Sequence, residues 1–218
     1  MDVLNYGLIG VGSMGRGHLD ALSIVEGVRV VAMADPCAES LAKANELAPE
    51  LTECLSDYRD LLARDEIDAV VVSTPNVTHA DIIADALQAG KHVLGEKPLA
   101  VTVEDCRRLV EVVKASGKVY QVGLELRFDA GIQRMKKMIA DGAVGDVRQI
   151  WFTEFRGPWQ RKVGEWITQK AMSGGTLLEK DCHHFDLFNW LSGSRPVRVA
   201  GFGSIDRVYG KERFGGTE

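Results

Sequence analysis

The sequence contains no Cys-x-x-Cys pair: its four cysteines, Cys37, Cys54, Cys106 and Cys182, stand far apart. That spacing gives neither a zinc knuckle nor a disulfide framework, so reduced and mostly buried thiols are expected. Proline is scarce, with 6 residues against 23 glycines, which points to tight turns between strands and helices rather than to disorder. No apolar run approaches the ~18 residues of a membrane span, and the N-terminus shows neither the basic start nor the cleavage site of a secretory signal. A cytoplasmic setting without a membrane partner is expected. No block of Lys or Arg interrupts a formal charge of −5, which argues against a nucleic-acid surface and for small-molecule partners.

What is present is an alternation. The apolar runs VLNYGLIG (3–10), VRVVAMAD (28–35), DAVVVSTP (68–75), KHVLGEKP (91–98) and KVYQVG (118–123) have the short, β-branched character of strands. The continuous run at 68–75 fits a strand covered on both faces. Between them lie helix-periodic stretches: HLDALSIVEG, AESLAKANELA behind Pro36, DYRDLLARDEI, THADIIADALQAG, and TVEDCRRLVEVVKASG with a Thr102/Asp105 capping box. Strands alternating with helices predict a doubly wound parallel sheet, a Rossmann-type α/β fold, over residues 1–123. Beyond 123 the pattern changes. One amphipathic helix (DAGIQRMKKMIADGAVG) is followed by an aromatic run, VRQIWFTEFRG (147–157), a helix over 174–192, and a strand-like PVRVAGFGSID (196–206). Residues 124–218 are therefore read as an α+β domain with an open antiparallel sheet that is unfinished at Glu218.

The turn after the first run carries G-x-G-x-x-G as Gly10, Gly12 and Gly15, directly after a strand and opening a helix. Gly10 permits the turn, Gly12 lets a pyrophosphate approach the backbone, and Gly15 lets helix and strand pack closely; phosphate oxygens then face the N–H groups of Ser13, Met14 and Gly15. Taken alone, such a turn can be purely structural. Asp35, twenty residues after Gly15 at the end of the second strand, stands where a carboxylate accepts ribose hydroxyls. Its charge repels a 2′-phosphate, so NAD is expected in preference to NADP.

Ligands of open α/β sheets sit beyond the carboxyl ends of the strands. Ser73, Thr74, Pro75 and Asn76 occupy that edge after one strand, and Glu96, Lys97 and Pro98 after the next. These residues apart from Pro98, with His79 one turn into the following helix, make up the remaining expected cofactor side. By itself Lys97 reads first as a surface cation paired with Glu96, and His79 as a packing or capping residue rather than a catalyst. In EKDCHHFDLFNW (179–190), Glu179, His183 and Asp186 fall within about 60° on a helical wheel, opposite an apolar face. A solvated stripe with an i,i+4 Glu–His pair and a metal site are the other readings; a single helix with no second cluster is a thin case for a metal, and none is expected.

The runs GVGSMG, STPNVTH, GKHVLGEKPLA and GGTLLEKDCHHFDLFNWLSG closely resemble the glucose-fructose oxidoreductase / inositol dehydrogenase family, often written Gfo/Idh/MocA. The resemblance runs through essentially the whole chain. It implies a Rossmann domain followed by a domain with a large open antiparallel sheet, NAD(P)-dependent oxidoreduction of a sugar, polyol or related small molecule, and a homo-oligomer, dimer or tetramer. The family's catalytic lysine falls on Lys97, its acid on Glu179, its histidine on His183 and its substrate-binding aspartate on Asp186. In that assignment His183 takes the hydroxyl proton, Lys97 stabilises the developing alkoxide, and Glu179, one turn before His183, orients the imidazole. Arg127, in GLELRF, matches a family Arg-Phe pair and could contact cofactor or substrate, or form an interdomain salt bridge. Trp166 and Arg156 are expected in loops on the substrate side.

Two positions depart from the family pattern: Glu179, where aspartate is common, and Asp181, where a small residue is common. The position of Asp181 on the apolar side of the wheel has no explanation in the sequence, and His184 is assigned to structure. Members of the family are longer, so this chain is expected to be a shortened copy, part of a longer one, or completed by a partner subunit. The alternative functions are NAD-dependent glycoside cleavage through transient oxidation and a catalytically silent nucleotide-binding regulator.

Overall fold

In the computed structural model, residues 3–49, 52–154 and 163–202 are described, the side chains of 163–165 excepted. Six parallel strands form one sheet: β1 (Leu4–Ile9), β2 (Val28–Ala34), β3 (Glu53–Leu55), β4 (Ala69–Val72), β5 (His92–Glu96) and β6 (Tyr120–Gly123). Their spatial order is β3-β2-β1-β4-β5-β6, so the winding reverses between β1 and β4. A crevice opens at that reversal, outside the carboxyl ends of the strands.

The side chains of the sheet alternate between two apolar layers. Leu8, Val30, Met33 and Val71 pack with Val11, with Leu19 of α1 (Ser13–Ser23) and with Ala44 of α2 (Ala38–Asn45). Ile9, Ala32, Ala34, Val70 and Val72 pack on the other face. There they meet Leu61 and Leu62 of α3 (Tyr58–Leu62), Ile83 and Leu87 of α4 (His79–Gln88), and Leu109 of α5 (Val103–Ser116). All four residues of β4 are buried, as the central strand of a two-sided sheet requires. Local signals set the helix ends. Thr102 Oγ1 accepts from Asp105 N at 3.0 Å and donates to Asp105 Oδ2 at 2.6 Å, and Gly117 ends α5 in the left-handed region. β3 is the strand that the sequence pattern does not locate, because three residues are too few to show a period.

After β6 a short 3-10 turn, Glu125–Phe128, leads into α6 (Ala130–Ala140). Three short helices follow: α7 (Lys170–Ser173), α8 (Thr176–Glu179) and α9 (Cys182–Ser192). The single helix expected over 174–192 is therefore broken at Lys180 and Asp181. His183 N reaches back only to Lys180 O, at 3.4 Å, and Glu179 O accepts Lys97 Nζ at 2.7 Å instead. A carbonyl that an unbroken helix would bond to His183 N is thus turned over to a lysine from the sheet edge. The strands expected at 147–157 and 196–206 do not form over their described parts, 147–154 and 196–202; the rest lies outside the described residues. Alternation tells which face a strand shows but not what it pairs with, and among the described residues neither segment has a ladder partner.

Candidate functional site

The Gly-rich turn is built by backbone contacts. Gly10 adopts φ +85°, its N–H donates to Ala34 O at 2.8 Å, and its carbonyl accepts Ser73 Oγ at 2.7 Å. A Cβ on Gly15 would lie 2.1 Å from Gly10 O, whereas a Cβ on Gly12 would meet nothing within 4 Å. Gly15 is therefore required for packing, and Gly12 faces open space at the N-terminus of α1. There the first backbone N–H groups have no helical acceptor and suit a pyrophosphate. Asp35 stands beside the turn; its Oδ2 accepts Val11 N and its Oδ1 accepts Cys37 N, both at 2.8 Å. Each carboxylate oxygen keeps a further lone pair for a ribose hydroxyl.

A cleft of about 1140 Å³ runs from this turn across the sheet edge. Gly10, Gly12, Ser13, Met14 and Asp35 line one end, and Lys97, Glu179 and His183 the other. Ser73, Thr74, Pro75, Asn76, His79 and Glu96 also border it, and so does Trp166. Gly15 lies behind the turn, and Arg156 is outside the described residues. This volume and this division of lining residues fit a dinucleotide laid from Asp35 to Lys97.

At the chemical end three contacts differ from the sequence reading. Glu179 was expected against His183. In the structure its Oε1 accepts Lys97 Nζ at 2.9 Å, and its Oε2 is buried without a partner. The break after α8 is the cause, since it removes the regular i,i+4 relation. His183 instead has its Nε2 3.3 Å from Oε1 of Glu125, in the turn after β6. Sequence reasoning missed Glu125, and an exposed acid in a short turn gives no local signal of such a role. Burial pushes the His183 imidazole below its ordinary pKa; Glu125 pulls it up, while Lys97 and Lys180 push it further down.

The third difference concerns Asp186, expected to hold substrate, and Arg127, expected either to contact cofactor or substrate or to form a salt bridge. They hold each other: Arg127 Nε donates to Asp186 Oδ2 at 2.6 Å and Nη2 to Oδ1 at 2.5 Å, with the guanidinium 5.3 Å above the Trp190 ring. A planar guanidinium fork matches a carboxylate in this way, and neither residue is among those lining the cleft. The contact ties the turn after β6 to α9. Asp181 and His184 also find a role, since His184 Nδ1 lies 3.1 Å from Asp181 and Nε2 2.9 Å from Glu154, and the ring stacks on Phe152. Glu154 pairs with Lys180 as well.

Around Lys97 the edge is tied to the sheet core. Glu96 Oε1 lies 2.8 Å from His18 Nε2, and its Oε2 accepts Lys97 N at 3.2 Å. Burial acts to raise the Glu96 carboxyl, yet His18 and Lys97 together hold it below the usual carboxylate value. Both ring nitrogens of His79 face carbonyl oxygens, Pro98 O at 2.8 Å and Thr74 O at 2.9 Å, so its polar atoms join two loops rather than reach into the cleft. Asn76, also buried, donates from Nδ2 to Ser173 O at 2.8 Å. Asn76→Ala leaves that carbonyl buried and unpaired, and is expected to cost about 1–3 kcal/mol, read as a lower urea midpoint at unchanged slope. An unchanged midpoint would remove Asn76 as a tie between the sheet edge and α7. Among the described residues no cluster of three His, Cys, Asp or Glu could hold a metal ion, and no helix is long and apolar enough to cross a membrane.

Comparison with known proteins gives two family matches. Residues 4–124 match the oxidoreductase family with NAD-binding Rossmann fold, and residues 132–215 match the GFO/IDH/MocA C-terminal domain. The chain is 35% identical to an inositol 2-dehydrogenase of Gluconacetobacter diazotrophicus over 185 residues, 84% of this chain and 54% of that protein. Among solved structures it resembles levoglucosan dehydrogenase in complex with NADH and levoglucosan, with a TM-score of 0.76 at 30% identity, over 88% of this chain and 55% of that one. It also resembles scyllo-inositol dehydrogenase of Lactobacillus casei with bound NAD(H) and scyllo-inositol, with a TM-score of 0.75 at 25% identity, over 88% and 57%. The chain thus spans about half the length of the curated relatives it matches.

Proposed function

Because the chain belongs to the Gfo/Idh/MocA oxidoreductase family, we propose that it works as an NAD-dependent oxidoreductase on a secondary hydroxyl or carbonyl of a sugar, polyol or related small molecule. The observation that carries this reading is convergence. Lys97, from the end of β5, and His183, from α9, line the same cleft as the Gly-rich turn. Residues 1–123 form the nucleotide unit in this reading, and 124–218 begin the substrate unit.

Bound NAD supplies the acceptor for a hydride. The chain's own residues handle the proton and the charge. Lys97 carries an ammonium whose charge Glu179 balances at 2.9 Å, so it is held at the cleft and stabilises an alkoxide by hydrogen bonding and by charge. His183, with its pKa below the ordinary value, stays neutral near pH 7 and can take a hydroxyl proton. Glu179 acts on Lys97 rather than on the imidazole. The dehydrogenases of inositol and levoglucosan among the similar proteins support oxidation over glycoside cleavage, and no observation favours a silent regulator. A dimer or tetramer is part of the same reading, consistent with exposed Trp151, Val197 and Val199. So is a cytoplasmic setting, consistent with four free cysteines.

The direct test is a screen of polyols and sugars against NAD, read as NADH absorbance, beside aryl glycosides read as released phenol. Reduction of NAD by a polyol supports the proposal, whereas aryl release alone, or NADH binding without any turnover, overturns it. Cofactor choice gives a second test. Asp35→Ala is expected to weaken NADH binding more than NADPH binding when both are titrated by fluorescence, because the carboxylate both accepts ribose hydroxyls and repels a 2′-phosphate. The reverse order would remove Asp35 as the discriminating residue.

A further inference from the structure

His183 is 3% exposed and its Nδ1 is buried with no hydrogen-bond partner, so among the described residues only Glu125, at 3.3 Å from Nε2, provides a carboxylate on the ring. Glu125 itself is 63% exposed in its side chain. It belongs to neither the Gly-rich turn nor the lysine motif nor the 179–190 segment, and it stands on the turn that follows β6. The same turn is anchored two residues later by the Arg127–Asp186 fork, which fixes the turn against α9 and so holds Glu125 over His183.

We propose that Glu125 is the positioning residue of His183: it keeps the imidazole proton on Nε2 and sets how readily the ring takes a second one. A neutral imidazole has one N–H and one bare nitrogen, and a carboxylate can only accept. At 3.3 Å the Glu125 carboxylate acts on Nε2 through its charge, and a negative charge there favours the tautomer with the proton on Nε2 and the lone pair on Nδ1. The charged groups acting on the ring oppose one another. Lys97 at the end of β5 and Lys180 at the break before α9 disfavour imidazolium, while Glu125 and, more weakly, Glu96 favour it. With burial and two lysines pressing the same way, Glu125 is the nearest counterweight, and it alone sits where solvent and salt can reach it.

This deepens the proposed function in that its catalytic meaning depends on His183 being the proton acceptor. The contact can be tested without turnover. Long-range nitrogen–proton NMR spectra of the imidazoles report both tautomer and titration, with the His183 signals identified by their loss in His183→Asn. The expected wild-type result is a neutral form protonated on Nε2. In Glu125→Gln the titration midpoint should move down, in Glu125→Asp it should stay near wild type, and in Lys97→Met it should move up. Glu125 is exposed enough that its variants should fold, which a thermal melt checks. An unchanged midpoint in Glu125→Gln, or a wild-type proton on Nδ1, overturns the proposal. Neither result bears on whether the protein oxidises polyols, which the NADH absorbance screen decides separately.

Discussion

Lys97→Met is expected to lower turnover by about 10²–10⁴-fold, the usual scale for losing a group that handles charge and proton at the reacting oxygen, while NADH affinity changes little. The same substitution should also destabilise the fold. Lys97 and Glu179 form a pair whose side chains are 15% and 6% exposed, and Lys97 Nζ further bonds Glu179 O at 2.7 Å. Removing one member of a buried ion pair typically costs 3–5 kcal/mol, because the other charge is left unpaired; the residual exposure of Lys97 places the expectation near the low end, about 3 kcal/mol. The two effects are separable. Lys97→Met with Glu179→Leu replaces the pair by apolar groups of similar size, so urea unfolding should recover most of the loss while turnover stays absent. Turnover returning with stability would show that Lys97 holds the fold together and takes no part in the chemistry. Turnover retained in Lys97→Met itself would remove Lys97 from the site.

That pairing also marks where the sequence stops being informative. The parallel sheet was legible because each strand and helix announces itself locally: β4 as an unbroken apolar run, α5 through its Thr102/Asp105 box and Gly117. The convergence of the Gly-rich turn with Ser73 and Lys97 follows from the rule that loops at the carboxyl edge share one crevice. β3 escaped because its three residues pair with β2 only once β2 exists. The 179–190 segment misled in a different way. Its spacing is that of one continuous helix, and spacing alone puts Glu179 on His183. A lysine 82 residues away takes the Glu179 carbonyl and carboxylate, and the helix is interrupted there. Nothing within the segment encodes that competition.

Asp181 is a second such case. On a wheel it is a charge on an apolar face; in space it meets His184, whose other nitrogen is taken by Glu154 from a distant segment. Asp186 reads from the sequence as a ligand residue and Arg127 as either a ligand contact or a salt bridge, but the sequence names no partner for the bridge. Their bidentate contact uses both groups fully. Tertiary ion pairs are thus the class of contact that local pattern misses, and in this chain they decide the carboxylate partner of both the lysine and the histidine.

Gly15→Ala and Gly12→Ala are expected to fail in opposite ways, although they differ by one methyl at two positions of one turn. At position 15 the new Cβ would sit 2.1 Å from Gly10 O, 2.9 Å from Gly10 C and 2.9 Å from Ser73 Oγ. Two of those atoms are backbone, and α1 cannot back away without leaving Leu19 and Val11 unpacked from the sheet. The expected cost is at the upper end of that for overpacked cores, about 3 kcal/mol, seen as a lower melting temperature with or without cofactor. At position 12 the backbone is already at φ −62° and nothing lies within 4 Å of the added carbon. The fold should therefore hold to within about 1 kcal/mol. The methyl instead occupies the space through which a pyrophosphate approaches the N–H groups of α1, and NADH affinity should fall by about tenfold or more, equivalent to about 1.4 kcal/mol or more. Fluorescence titration of NADH beside a thermal melt of each variant reads both quantities. NADH binding unaffected by Gly12→Ala would place the dinucleotide elsewhere in the molecule, since no other feature of this turn leaves a backbone so open at the mouth of the cleft.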